Sequence, residues 1–263
     1  MNKSLKIIIG VTAVVVIGIL LFLFSYRVTK SRINGSTEEQ TITKQNLKIG
    51  LLTGLGGLGD KSFNDMQYRG MIMARRDFGI EFEYLTPVKE EDDFLLMQQL
   101  IEKKCNVIIG GGGYHNIEPI EILSEKYPDV IFVLLDDFAK TYRKNVASVS
   151  FRQNEGSFLA GALAGLVSES KKIGVVAAMD IKVINDFIIG YEEGAQYIDK
   201  NITMYKSYIS NGNDGISPWN KPEIAYDKAL NLYNNKGVDI VFAVASASGM
   251  GVFRAAQKKE KYA

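Results

Sequence analysis

Short apolar runs separated by longer amphipathic stretches set the rhythm of this chain from Leu47 onward. Residues 49–53, 107–110, 130–135 and 173–178 are nearly continuous apolar segments, the pattern of strands buried on both faces, and 80–85 reads as a further strand interrupted by Glu81 and Glu83. Between and after them, residues 63–78, 92–103, 117–126, 155–167, 183–198, 223–235 and 252–259 carry apolar positions at helical spacing. Strand and helix alternating in this way predict α/β architecture, with parallel sheets covered on both faces. Such sheets take ligands at the carboxyl ends of their strands, which points to the loops after Thr53, Gly110, Leu135, Ala178, Tyr208 and Val244. Residues 145–151 read as a further strand. The helix after it is rich in small residues (Gly156, Ala160, Gly161, Ala162, Ala164, Gly165), which lets it approach its neighbours closely. A crossover near residue 150 is therefore expected, giving a first α/β lobe over 46–150 and a second over 151–263.

The amino-terminal pattern differs. Residues 7–24 form an uncharged apolar run of eighteen after Lys3 and Lys6, about the length that crosses a bilayer as a helix and longer than the apolar part of most cleaved signals. No small-residue cleavage site follows, so an uncleaved anchor is expected, with the polar segment 31–45 as a linker. Lys3 and Lys6 on one side face Arg27, Lys30 and Arg32 on the other, so flanking charge barely orients the span.

Composition narrows the chemistry. Of 263 residues, 46% are hydrophobic and 23% charged, which excludes disorder over most of the length, and the net charge of +1 gives no field that would hold nucleic acid. One cysteine, Cys105, and one histidine, His115, exclude an internal disulfide and a multi-ligand Cys/His zinc site. Cys105 precedes the apolar run 107–109 and reads as a buried, inert thiol rather than as half of a Cys-His nucleophile pair. No metal or cofactor is implied.

Two glycine-rich loops follow strands. Gly54, Gly56 and Gly59 satisfy G-x-G-x-x-G, and Gly54, Gly59, Lys61 and Ser62 approach the P-loop pattern. Both matches are weak: Ser62 reads as the cap of the next helix, and Asp60 puts a carboxylate where phosphate would sit. A ligand-facing flexible loop is the better reading. Gly110 to Gly113 close another strand, either as a tight turn or as amides lining a cleft.

At Asp60-Lys61-Ser62-Phe63-Asn64-Asp65 the chain resembles the basic membrane protein family, whose purine nucleoside receptors are substrate-binding lipoproteins of ABC importers. The likeness continues at residues 148–159 (SVSFRQNEGSFL), at Met179-Asp180-Ile181 with Phe187, Gly190 and Gly194, and at Gly249-Met250-Gly251-Val252-Phe253. The resemblance implies a type 1 periplasmic-binding-protein fold, two doubly wound lobes that close about a hinge on a nucleoside, a purine by preference. It implies a base held between two aromatic rings, Phe63 and Trp219, with Asn64 as a hydrogen-bonder and Asp136 as the acid ending the fourth strand. Ser246 and Gly249 belong to the loop that matches the family's glycine-rich segment. It also implies an ABC permease as partner and an extracytoplasmic position at the cell membrane, with no nucleic acid. The chain departs from the family at Gly54, where an Asp is usual, and in the loop 246–251. It ends at Ala263, before the family's later strands, so an incomplete second lobe with open sheet edges and exposed apolar faces is expected. A non-catalytic solute-binding component is the leading reading. A nucleotide-using enzyme working through the 54–62 loop and a ligand sensor are the alternatives.

Overall fold

The computed structural model describes residues 47–263, which belong to one compact unit. The apolar run 7–24 and the linker 31–45 lie outside the described residues. Among those described, no helix is long and apolar enough to cross a membrane.

The first half follows the expected rhythm: β1 (Lys48–Thr53), α1 (Phe63–Phe78), β2 (Glu81–Leu85), α2 (Asp93–Glu102), β3 (Val107–Gly111), α3 (Ile117–Lys126), β4 (Ile131–Leu135) and β5 (Val146–Val149). These five strands form a wholly parallel sheet in the order β2-β1-β3-β4-β5. Adjacent residues of a strand face opposite sides, and the core shows it. Leu52 and Ile108 pack with Met97 and Leu100 of α2 and with Ile120 and Leu123 of α3 on one face. Leu51 packs with Met71 of α1 on the other, where Ile109 joins it. Cys105 is buried in the α2–α3 core and burial raises its thiol pKa, which suits an inert role.

The second half holds α4 (Gln153–Val167), β6 (Lys172–Ala177), α5 (Lys182–Ile198), β7 (Thr203–Tyr208), α6 (Pro222–Asn231), β8 (Ile240–Val244) and α7 (Gly249–Lys259). Its three strands are parallel in the order β7-β6-β8, so β6 is central. Val176, Val241 and Ala178 face α6 and α7, whereas Val175, Ala177 and Ile173 face α4 and α5. Where α4 and α5 cross, a Cβ at Gly161 would fall on the Tyr191 carbonyl, one at Gly190 on that of Asn154, and one at Gly194 on that of Phe158. The small residues thus serve direct backbone contact between two helices.

Asp239, just before β8, ties this half together. Its buried carboxylate accepts hydrogen bonds from Ser168 Oγ (2.8 Å) and from the amides of Glu169 and Ser170 (2.8 Å each). Tyr262 continues the sheet beside β8 through a parallel bridge to Ile240. Apolar side chains stand exposed along α4 at Leu159, Leu163 and Leu166.

Candidate functional site

The carboxyl ends of both sheets border one cavity of about 550 Å³. The strand ends forecast from the sequence supply it: the loop after Thr53, the turn after Gly110, Asp136 after β4, Ile181 to Phe187 after β6, and the loop after Val244. The structure places Phe63, Asn64, Asp136, Trp219, Ser246 and Gly249 in its wall, all six of the residues singled out above.

The local fold of the 54–62 loop departs from expectation in one respect. Ser62 makes no side-chain cap to α1. Asp60 does the capping instead, its carboxylate accepting from the amides of Ser62 (2.9 Å), Asn64 (3.0 Å) and Asp65 (3.1 Å). Asp65 reciprocates by accepting from the amides of Gly59 and Lys61. The reason lies in the backbone: Lys61 sits in the left-handed region (φ 52°), which folds Asp60 back under the helix. The partial positive charge of the α1 amino terminus is thereby met by an internal carboxylate, where a nucleotide-binding loop would leave the amides for phosphate. This arrangement counts against the nucleotide-enzyme alternative.

Phe63 opens α1 and is half-buried. Asn64 is buried and its Oδ1 accepts from the Gly54 amide at 2.8 Å, an arrangement that fixes the orientation of its side chain. A Cβ at Gly54 would press on that Oδ1 (3.2 Å) and on the Gly111 carbonyl (3.4 Å), so the glycine standing in place of the family's Asp fits a tightened loop. Asp136 adopts φ 64° directly after β4, and no hydrogen bond to its carboxylate is formed among the described residues. Burial, with Asp137 and Asp186 nearby, holds its pKa above the ordinary carboxylate range.

Trp219 lies in a short turn, Pro218–Asn220, packed against residues of both cores of the second sheet. Ser248 clamps that turn: its hydroxyl donates to the Pro218 carbonyl (2.6 Å) and accepts from the Lys221 amide (2.7 Å). Ser246 donates to Asp60 Oδ2 at 2.7 Å, and Gly249 opens α7.

Further residues line the cavity. Tyr114 and His115 follow the four glycines. His115 Nδ1 bonds the buried Asp93, which also takes the Asn116 amide at 2.6 Å, and Asn116 Oδ1 accepts from Gly112 at 2.6 Å. The glycine turn thus spends part of its backbone internally. Leu55, Ile184, Phe187, Phe242, Met250 and Phe253 make most of the remaining wall apolar. Phe187, Met250 and Phe253 fall within the motifs quoted above, whereas Phe242 lies inside β8, whose apolar run the sequence reading did not single out. No group of acidic, His or Cys side chains able to hold a metal occurs among the described residues.

Comparison with known proteins agrees with this architecture. Residues 48–263 match the family model described as ABC transporter substrate-binding protein PnrA-like. An uncharacterized lipoprotein of Pyrococcus abyssi is 32% identical over 230 residues, covering 85% of this chain and 55% of its own length. Basic membrane protein D of Borreliella burgdorferi is 40% identical over 116 residues, covering 44% of this chain and 31% of its own. The solved structure of an ABC transporter solute-binding protein from Aeropyrum pernix superposes with a TM-score of 0.73 at 26% identity, over 81% of this chain and 59% of that one. The chain therefore spans little more than half the length of such relatives. The matched family and structure are solute-binding proteins, not enzymes.

Proposed function

The chain belongs to the PnrA-like ABC transporter substrate-binding proteins, and on that premise we propose that it captures a nucleoside, preferably a purine nucleoside, and delivers it to a membrane permease. The supporting observation is one cavity whose wall holds an aromatic ring from each half of the molecule, Phe63 and Trp219, together with the carboxylate of Asp136, which accepts no hydrogen bond among the described residues. Two rings suit a flat base, since base–aromatic stacking is worth about 1–3 kcal/mol per base. A carboxylate without a protein partner suits ligand hydroxyl or N–H donors. The apolar part of the wall supplies burial. In this reading residues 1–45 anchor the receptor to the cell membrane on its outer side, raising the concentration of loaded receptor near its permease.

The test is a thermal-shift titration of the full-length chain with inosine, guanosine, adenosine, cytidine and ribose. A ligand at one hundred times its Kd adds about 2.7 kcal/mol, which for a domain of this size raises Tm by roughly 5–10 °C. Purine nucleosides giving that shift, lost in Phe63→Ala, would support the reading. A cooperatively melting protein that responds to none of the nucleosides would refute it.

A further inference from the structure

Among the described residues only two hydrogen bonds join the first half of the molecule to the second across the cavity. One is a long contact from the Tyr114 hydroxyl to Met179 Sδ (3.9 Å), a weak acceptor. The other runs from Ser246 Oγ to Asp60 Oδ2 at 2.7 Å, between residues 186 apart in sequence. It is charge-assisted and part-buried, and Asp60 itself is only 2% exposed. Each oxygen of Asp60 has two donors: Oδ1 takes the amides of Ser62 and Asp65, and Oδ2 takes the Asn64 amide and the Ser246 hydroxyl. The serine backbone is held at φ 47°, a conformation unfavourable for any residue with a Cβ. Glycine would relieve that strain but could not make the bond.

We propose that Ser246 and Asp60 are the positioning pair of this site, a hydrogen bond across the cavity that holds the helix carrying Phe63 against the second sheet and slows ligand release. The inference rests on the nucleoside reading for its ligand, but not for its geometry. Asp60 fixes the first turn of α1, which carries Phe63 and Asn64, and Ser246 precedes α7, whose first turn carries Gly249 and Met250. Cleft closure is thereby coupled to the cap that orients the first ring. Trp219 reports on the same seam, because its carbonyl lies where a Cβ at Gly56 of the first half would meet it, at 3.5 Å.

The experiment compares the full-length wild type with Ser246→Ala, Ser246→Gly and Ser246→Asn, the last keeping a donor and tolerating the left-handed region. Three quantities are read: melting temperature without ligand, acrylamide quenching of the only tryptophan, and the dissociation rate of inosine by stopped flow. Loss of one charge-assisted hydrogen bond predicts dissociation about tenfold faster in Ser246→Ala and Ser246→Gly, with partial recovery in Ser246→Asn. Ser246→Gly is the deciding variant: its ligand-free melting temperature should equal or exceed that of wild type while quenching and dissociation both rise. Melting temperature and dissociation changing in step in every variant would mean a merely structural serine and would overturn the proposal. Unchanged quenching in both Ala and Gly variants would overturn it too. Should wild type bind no nucleoside, the functional reading fails and quenching without ligand alone decides the pair.

Discussion

Replacing Asp239 with alanine probes how the end of α4 is tied to the start of β8. Three donors converge on this carboxylate, but they are not equally exposed to loss. Ser168 is 4% exposed, so its hydroxyl would be stranded without a partner, whereas Glu169 and Ser170 are exposed residues whose amides can recruit water. An unmet buried donor costs about 1–3 kcal/mol, and a hydrogen bond to a charged group contributes about 1.5–3. The expected loss for Asp239→Ala is therefore about 2–4 kcal/mol, well below the sum for three stranded donors. Adding Ser168→Ala to that variant removes the orphan and should return about 1 kcal/mol. Burial pushes the Asp239 pKa up, but the hydrogen bonds from Ser170, Ser168 and Glu169 outweigh it and hold the group below the usual carboxylate range. The folded protein thus releases this proton at lower pH than the unfolded chain does. The carboxylate's contribution is complete above roughly pH 4 and is lost as pH falls through the depressed folded value. Urea unfolding of full-length wild type and variant at pH 7 and at pH 3.5 measures both effects. A loss under about 0.5 kcal/mol at pH 7, or a gap between the two proteins that does not narrow in acid, would refute the reasoning.

Other outcomes follow from the same geometry. Asp136, whose pKa is raised by burial and by Asp137 and Asp186, should bind ligand as the carboxylate, so inosine affinity should fall as pH drops from 7 through the raised value; calorimetric titration of Asp136→Asn should give a flat profile in that range. Ser248→Ala releases the turn that carries Trp219 and should weaken nucleoside binding roughly threefold to tenfold, with the tryptophan emission of the free protein shifted to longer wavelength. Cys105, buried and with its thiol pKa raised, should resist a thiol reagent at pH 8 until denaturant is added; rapid labelling of the native protein would contradict the packing described for it.

The first sheet was legible because its central strands are buried on both faces, which writes them as apolar runs. The strand β7 was not, since Thr203–Tyr208 at a sheet edge mixes Thr203, Lys206 and Ser207 with its larger side chains and so forms no apolar run; only the loop after Tyr208 pointed to it. The apolar run of β8 was likewise known only by the loop that follows it. Helix α6 hides its own end, because its last turn continues as the wider coil of Leu232–Lys236 before the left-handed Gly237. At the site, strand ends announced which loops face the cavity, and motif order selected Phe63, Asn64 and Asp136. Ser62 holds the N-cap position of α1 as read from the sequence, but the capping hydrogen bonds come from Asp60, which the left-handed backbone at Lys61 turns back toward the helix. The pairing of His115 with Asp93 and of Ser246 with Asp60 depends on which strand lies beside which, a fact no local pattern contains.

The crossing of α4 and α5 also bears on how the gene can drift. Any single-base change that turns a glycine codon into the codon of another amino acid introduces a Cβ. At Gly161, Gly190 and Gly194 that carbon would land on a carbonyl oxygen of the facing helix, which neither rotamer change nor solvent can move aside. These three codons therefore admit only silent substitutions while the fold is under selection. In a set of sister sequences, the ratio of altering to silent changes at these codons would show whether a lineage still depends on the folded protein, with no need to know its ligand.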